Sequence, residues 1–375
     1  MDFDLSYEQR ELQDSVGRLL KDRYDFAARQ RYAKEEAGWS RELWSHYANL
    51  GLLGLPFPSE YGGFAGGAVD LMLAMEAFGR VMALEPYLAT VVLGGAALRL
   101  AGSSAQQAEL LPRLAEGRLL LAWAHGEWQA GHEPFFVATT ARREGQTWIL
   151  DGVKSLVLNG ASAQTLVVSA RTGGATADRD GLGLFLVDAG AQGVSRRPYR
   201  LVDGTSAAEI TLSGVGASAL GEPGTAAPIV ARVIESGIAA VAAEAVGAMQ
   251  AALDLTVEYL KTREQFGRPI GQNQALQHRA AEMLMATEQA RSMAMLAAMM
   301  VDEPDVRERE RNIAMVKIIV GREARWVAQQ AVQLHGGIGV TEEYAVGHYF
   351  RRLTVIEQLF GDAPFHLRRL AEEQP

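Results

Sequence analysis

The chain contains no cysteine. That excludes disulfides, thiolate zinc sites, iron–sulfur ligation and a cysteine nucleophile. An excess of positive charge is missing as well. Lys+Arg number 36 against 45 Asp+Glu, leaving a net charge of −9, the wrong sign for a general nucleic-acid binder. No apolar run is long enough to span a bilayer; the richest, from Gly237 to Leu253, is alanine-rich and carries Glu244. The opening Met1-Asp2-Phe3-Asp4-Leu5 lacks the basic and apolar segments of a secretory signal, so a cytoplasmic protein is expected. Internal repeats and low-complexity tracts are absent too. What remains is a soluble globular composition, 48% hydrophobic and 22% charged, over 375 residues, a length for two or three domains.

The texture changes twice along the chain. Residues 1–118 read as a helical domain. Leu12, Val16, Leu19 and Leu20 alternate with Glu8, Glu11, Asp14, Arg18 and Lys21 at helical spacing. A further helix runs through Leu71, Met75, Phe78 and Met82 and stops at Glu85-Pro86. Residues 119–224 carry short β runs such as Leu166-Val167-Val168 and Leu184-Phe185-Leu186-Val187, separated by glycine, aspartate and proline turns. No β–α alternation appears there, so a small antiparallel sheet or barrel is expected rather than a parallel nucleotide-binding sheet. From 225 to 375 long helical periodicities return, with Ile234, Ile238, Val241 and Ala245 in one and Ile313, Val316, Val320 and Ala324 in another. Three helices of about 25–30 residues with short connections predict a C-terminal helical bundle. The methionines at 293, 295, 299 and 300 suit gap-filling in that core better than a ligand surface.

Two loops carry residues capable of chemistry. The first reads Arg263-Glu264-Gln265-Phe266-Gly267-Arg268-Pro269-Ile270-Gly271-Gln272-Asn273-Gln274. Forked guanidinium donors and exposed amides suit an anion such as a phosphate, although the same residues also suit a solvated helix–helix connection. The second, Gln333-Leu334-His335-Gly336-Gly337-Ile338-Gly339, closes the last long helix. One glycine there is an ordinary C-cap; several together also allow backbone to lie against a flat or charged ligand.

Taken together and in this order, the two loops closely resemble those of the acyl-CoA dehydrogenase family. The signature Arg-x-x-Phe-Gly-x-x-Ile is matched by Arg263, Phe266, Gly267 and Ile270, and its following Gln by Gln274. Gln-x-x-Gly-Gly-x-Gly is matched by Gln333, Gly336, Gly337 and Gly339, with Glu343-Tyr344 and Arg351 following at the family spacing. The likeness extends over essentially the whole chain. It is nearest to the small-subunit branch found in pimeloyl-CoA dehydrogenase, through Gly51-Leu52-Leu53-Gly54-Leu55-Pro56, Leu84-Glu85-Pro86-Tyr87 and His348-Tyr349-Phe350-Arg351-Arg352. The resemblance implies a mainly α architecture of N-terminal helical, middle β and C-terminal four-helix-bundle domains, with FAD as cofactor. It implies that Arg263 contacts the FAD pyrophosphate and Phe266 packs on the cofactor. Gln274, Gln333, Gly336 and Gly337 would hold the ADP half. A homo- or heterotetramer, an acyl-CoA substrate and an electron-transferring flavoprotein as electron acceptor follow from the same resemblance. So does the place of the flavin and acyl chain, between the sheet and the bundle.

The family reaction removes the α-proton of an acyl-CoA thioester with a carboxylate, while the β-hydrogen leaves as hydride to the flavin. Counted without gaps, the usual base position falls on Phe360, which cannot take a proton. An alternative base position, on the first long bundle helix, falls on Gly237, with Glu235 and Glu244 nearby. Glu244 shares a face with Gly237 but lies about 10 Å further along the axis, and suits a structural carboxylate bonded within the bundle better than a base. Asp362 is a third candidate, or a cap for the final helix. The flavin-touching Trp and Thr of relatives are replaced by Leu156 and Leu158, and their Thr-Glu-Pro by Gly126-Glu127-Trp128. Intact ADP-side loops beside an altered flavin side suggest a subunit that completes the cofactor site of a larger dehydrogenase partner. The alternatives are a self-sufficient dehydrogenase with an unusual base, Glu244 foremost, or another flavin reaction such as acyl-CoA oxidation on the same scaffold.

Overall fold

The computed structural model describes residues 4–372. The first three residues of the Met1–Leu5 segment lie outside that range. Helices α1 (Tyr7–Arg23), α2 (Phe26–Tyr32), α3 (Arg41–Asn49), α4 (Ala68–Val81), α5 (Gly95–Ala101) and α6 (Ser104–Ala115) come first. Strands β1 (Leu121–Ala124), β2 (Thr140–Glu144), β3 (Thr147–Leu158), β4 (Thr165–Arg171), β5 (Leu182–Asp188), β6 (Val194–Arg200) and β7 (Ser206–Leu220) follow. Then come α7 (Ala227–Thr262), a hairpin of β8 (Glu264–Gln265) and β9 (Arg268–Pro269), α8 (Gln274–Met300), α9 (Val306–His335), α10 (Ala345–Gln358) and α11 (Ala363–Glu372). The expected order of helices, sheet and helices is what forms.

Local sequence explains where several helices begin. Ser6 and Gln9 form a reciprocal capping box at α1, as Ser103 and Gln106 do at α6, each satisfying two donors that a helix start leaves open. Asp305 accepts from the Glu308 amide at the start of α9.

The chain divides into two compact units. One comprises the chain up to Arg31, Ala68–Ala83 and everything from Ile238 onward; the other comprises Tyr32–Gly67 and Leu84–Gly237. In the first, α4 and α7 cross at glycines. A Cβ on Gly79 would lie 1.9 Å from the Glu244 carbonyl oxygen, and one on Gly247 1.9 Å from that of Glu76. Any larger residue at either position would force the two backbones apart. The crossing is further tied by an Arg80–Asp254 ion pair at 2.9 Å, and Arg291 of α8 bridges it by contacting Glu76 of α4 and Gln250 of α7.

In the second unit the strands run β1-β4-β2-β3-β7-β5, and β5 pairs back onto β4, so the ring closes as a small barrel with β6 added to β7. Closure removes most open edges. Inside lie Leu150, Leu166, Val168, Phe185, Val187, Ile210, Leu212 and Val215. Pairing is not wholly antiparallel as expected: β1 runs parallel to β4, with Leu121 opposite Thr165. The turn-rich composition of the region identifies strands but carries no signal for the direction of this pair, whose members are joined through two intervening strands rather than a hairpin.

Candidate cofactor site and active site

In the helical unit, α7 runs directly into the β8–β9 hairpin, with Gln265 opposite Arg268 and a two-residue turn between. Phe266 and Gly267 have φ of +55° and +80°. Two successive left-handed residues make the primed turn that suits a tight hairpin, where glycine is favoured and phenylalanine is not. Phe266 therefore stands at the tip, 102% exposed. The Arg263 carbonyl at the base of the hairpin accepts from the Ile270 amide at 2.8 Å, while its guanidinium has no partner among the described residues. Gln274 begins α8 and is exposed.

Helix α9 ends at His335, where the Gly336 amide returns to the carbonyls of Val332 and Gln333. Gly336, with φ +63°, and Gly337 are both exposed, and a Cβ placed on either would meet nothing within 4 Å. The Gln333 side chain is exposed as well. His335 is buried; its Nδ1 lies 2.8 Å from the Ala331 carbonyl, and its ring stacks on Tyr259 at 4.5 Å with Tyr344 at 5.1 Å. Burial holds the imidazole below its ordinary pKa. Tyr259 lies four residues before Arg263 and His335 immediately precedes Gly336, so this stack brings the two loops together. Downstream, Glu342 binds Arg351 through both oxygens at 2.7 and 2.9 Å and steadies the segment after the glycine turn. All six residues assigned to the cofactor thus lie on two adjoining exposed loops or on the helix ends that flank them.

The candidate bases are placed differently. Both oxygens of Glu244 are bound by Arg352, at 2.7 Å to Nε and 2.8 Å to Nη2, with the two side chains only 4% and 8% exposed. The pair joins α7 to α10. Asp362 accepts from the Phe365 amide at 2.9 Å and caps α11. Glu235 is buried on α7.

Phe360 occupies the turn between α10 and α11 with φ +61°, followed by Gly361 at +98°. The turn is fastened at both sides. Buried Lys317 donates to the carbonyls of Ile356 and Glu357 at 3.2 and 2.7 Å, and His366 Nε2 to that of Phe360 at 3.0 Å. Burial lowers the Lys317 pKa to about 8, against the pull of Glu357 and Asp362.

A polar cluster that sequence reasoning did not single out lies in the barrel. Lys154 Nζ, wholly buried, donates to Glu127 Oε1 at 2.7 Å, and to the His125 carbonyl and Ser169 Oγ at 3.2 Å. Glu127 also accepts from the Thr139 amide and hydroxyl at 3.0 and 2.6 Å and the Ala138 amide at 2.7 Å. His125 Nδ1 meets Ser169 Oγ at 2.8 Å. Burial takes Lys154 down to about 8, partly countered by Glu127; burial and then the Lys154 charge take His125 down to about 3. The signal was present: Lys154 is in phase with Leu150 on the inward face of β3, where a charged residue needs a partner.

Just beyond it, the β3–β7 register shifts between Lys154 and Val157, and Leu156 takes φ +53°. For a non-glycine residue that conformation costs on the order of 1–2 kcal/mol. Leu156 is half-exposed and Leu158 buried; neither offers a side-chain hydrogen bond. Among the described residues no cluster of His, Asp and Glu could hold a metal ion, and no helix is long and apolar enough to cross a membrane.

Comparison with known families matches the chain in three consecutive pieces. Residues 6–118 match the acyl-CoA dehydrogenase N-terminal domain, 122–215 the middle domain and 228–374 the C-terminal domain. The chain belongs to the acyl-CoA dehydrogenase family. It is 31% identical over 378 residues to a probable acyl-CoA dehydrogenase, YngJ, of Bacillus subtilis, covering 99% of this chain and 98% of that one. Among solved structures it resembles the ChsE4–ChsE5 complex from Mycobacterium tuberculosis, with TM-score 0.87, 26% identity and full coverage of both chains. It also resembles a glutaryl-CoA dehydrogenase from Mycobacterium smegmatis in complex with FADH2, with TM-score 0.87 and 26% identity over 98% and 94% of the two chains. As a member of this family the chain is an oxidoreductase, and its mainly α architecture with a central β domain is the family's.

Proposed function

We propose that this chain is the FAD-binding small subunit of a heteromeric acyl-CoA dehydrogenase, whose proton-abstracting carboxylate comes from a larger partner subunit. The observation that carries the reading is the contrast between an open cofactor cradle and a base position that holds Phe360. The cradle fits an extended dinucleotide. Arg263 offers an unpaired guanidinium fork suited to a pyrophosphate. Gly336 and Gly337 leave space that any Cβ would fill. Gln274 and Gln333 add exposed amides for the ADP half, and the Phe266 ring on its hairpin supplies apolar contact. Bound FAD would supply the two-electron acceptor for the substrate's β-hydride. This chain would hold and orient the cofactor, while the partner's carboxylate removes the α-proton. Glu244, engaged with Arg352, would serve the bundle rather than the reaction.

The tetrameric arrangement and an electron-transferring flavoprotein as acceptor belong to the same reading. So does a dicarboxylyl or medium-to-long acyl-CoA, which the small-subunit resemblance supports. That one structural relative is itself a complex of two named components favours a heteromer. The test is anaerobic. The purified chain is supplied with FAD and a panel of acyl-CoAs including pimeloyl-CoA, with the visible flavin band followed alone and after adding a larger partner subunit. Bleaching only with the partner is the expected result. Stoichiometric bleaching by the chain alone would overturn the division of labour and establish a self-sufficient dehydrogenase.

A further inference from the structure

The two exposed loops are not joined by polar contacts. Among the described residues no hydrogen bond or ion pair links 263–274 to 333–340. Three rings behind the loops join them instead. The ring of buried His335 lies 4.5 Å from that of Tyr259, tilted from it by 28°, and 5.1 Å from that of Tyr344. Tyr259 and Tyr344 meet edge to face at 6.5 Å, so each ring contacts the other two. At such separations aromatic pairs attract beyond the burial of their area. Each loop is fixed to one ring through backbone. The Tyr259 carbonyl accepts from the Arg263 amide at 2.8 Å, at the base of the hairpin. One residue past His335, the Gly336 amide returns to the carbonyls of Val332 and Gln333. The glycine turn then folds back across the imidazole: a Cβ on Gly339 would lie 3.0 Å from that of His335. Tyr344 closes the far side, immediately before α10. Local bonds thus set each loop against a ring, and the ring contacts set the loops against each other.

We infer that His335 is a positioning residue: its contacts with Tyr259 and Tyr344 hold the two loops at the spacing that lets them grip one FAD together. The inference rests on the FAD reading above, and on the open guanidinium, amides and glycine backbone that both loops present. It adds a buried side chain that itself faces no ligand. Two weak grips on one molecule multiply only when the second is presented at high effective concentration to a ligand already held by the first. Loops that move independently lose that factor, although every group touching the ligand is still present.

The experiment measures FAD retention by the assembled flavoprotein, with the denaturation midpoint as a separate readout. His335→Ala removes the middle ring and is expected to weaken retention by about tenfold or more. His335→Phe restores a ring and should stay within about threefold of the native protein. Gln274→Ala on one loop and Gln333→Ala on the other should each weaken retention about three- to tenfold, the worth of one hydrogen bond. In the His335→Ala background at least one of these two effects should fall below about twofold, because FAD then engages the better loop alone. Unchanged retention in His335→Ala would overturn the positioning role. So would undiminished effects of both glutamines in that background, since a residue that only stabilises the fold moves the midpoint and leaves those effects as they were. Should His335→Ala fail to fold, Tyr344→Leu, at a half-exposed position, replaces it in the same cycle with the same outcomes. Arg263→Ala is measured in parallel. If it strips FAD while His335→Ala is silent, only the positioning role falls; if it leaves FAD bound, the FAD reading falls, and this inference with it.

Discussion

Polar groups in the two units are used in opposite ways. In the helical unit, Arg263, Gln274, Gln333 and the Gly336-Gly337 backbone are exposed, and none of those side chains has a partner among the described residues. In the barrel, Glu127, Lys154, Ser169 and Thr139 are buried and bonded to one another. Donors that are already satisfied cannot bind a cofactor without first breaking what satisfies them, whereas open donors lose only water. Titratable residues in a cluster are therefore not by themselves a site. The barrel network, with one lysine and one histidine pushed far from their usual pKa, reads as the part that keeps β1, β3 and β4 in register; the proposed site is on the quiet loops at the helix ends.

The sharpest way to break that comparison is to cut both kinds of group and read stability and FAD separately. Lys154→Met should leave Glu127 buried without its cation and cost about 3–5 kcal/mol by denaturant unfolding. Arg352→Ala should do the same through Glu244, by a similar amount. Glu244→Gln would lower stability but leave turnover per assembled flavin nearly unchanged; a loss of kcat by orders of magnitude with flavin still bound would restore Glu244 as the base.

Lys317→Met is the next largest, about 1–3 kcal/mol, because two carbonyls at the end of α10 lose their donor. Its pH dependence has a definite sign. The folded-state pKa of about 8 lies below the ordinary lysine value of 10.5, so between those limits the unfolded chain holds a proton that the folded chain has released. The burial penalty is full below about pH 8 and fades toward pH 10.5, so this lysine makes stability rise with pH across that window. Subtracting the Lys317→Met melting curves from those of wild type should isolate that slope. Asp362→Ala should cost about 1 kcal/mol, the worth of a helix cap. Arg263→Ala should leave the denaturation midpoint unmoved while FAD retention in the complex collapses. A drop in midpoint without loss of FAD would make Arg263 a structural residue and erase the contrast.

Much of this was legible in the amino-acid order. Both exposed loops could be read because their signatures are contiguous: a few residues at fixed spacing at the end of a helix define each turn. The helices were readable because their apolar faces repeat every three to four residues. What could not be read was the fate of single carboxylates. Glu244 reads as a candidate base because it shares a helix face with Gly237, yet its partner Arg352 is 108 residues away in sequence. Lys154 could have been flagged by its inward phase in β3, but not Glu127 as its partner. The parallel β1–β4 pair was likewise invisible to a pattern that reports strand character and not strand direction.

The sequence by itself determined the family, the order of helical and sheet regions, the two exposed loops and the absence of a protonatable group at position 360. These depend on local periodicity, on turn chemistry and on residue identity, which are written along the chain. Tertiary structure alone decided that Glu244 is paired with Arg352, that Lys154 and Glu127 lock the barrel, and that His335 meets the rings of Tyr259 and Tyr344. Each of those depends on which distant groups meet once the backbone has closed, and a buried charge is tolerated only where such a partner is in place.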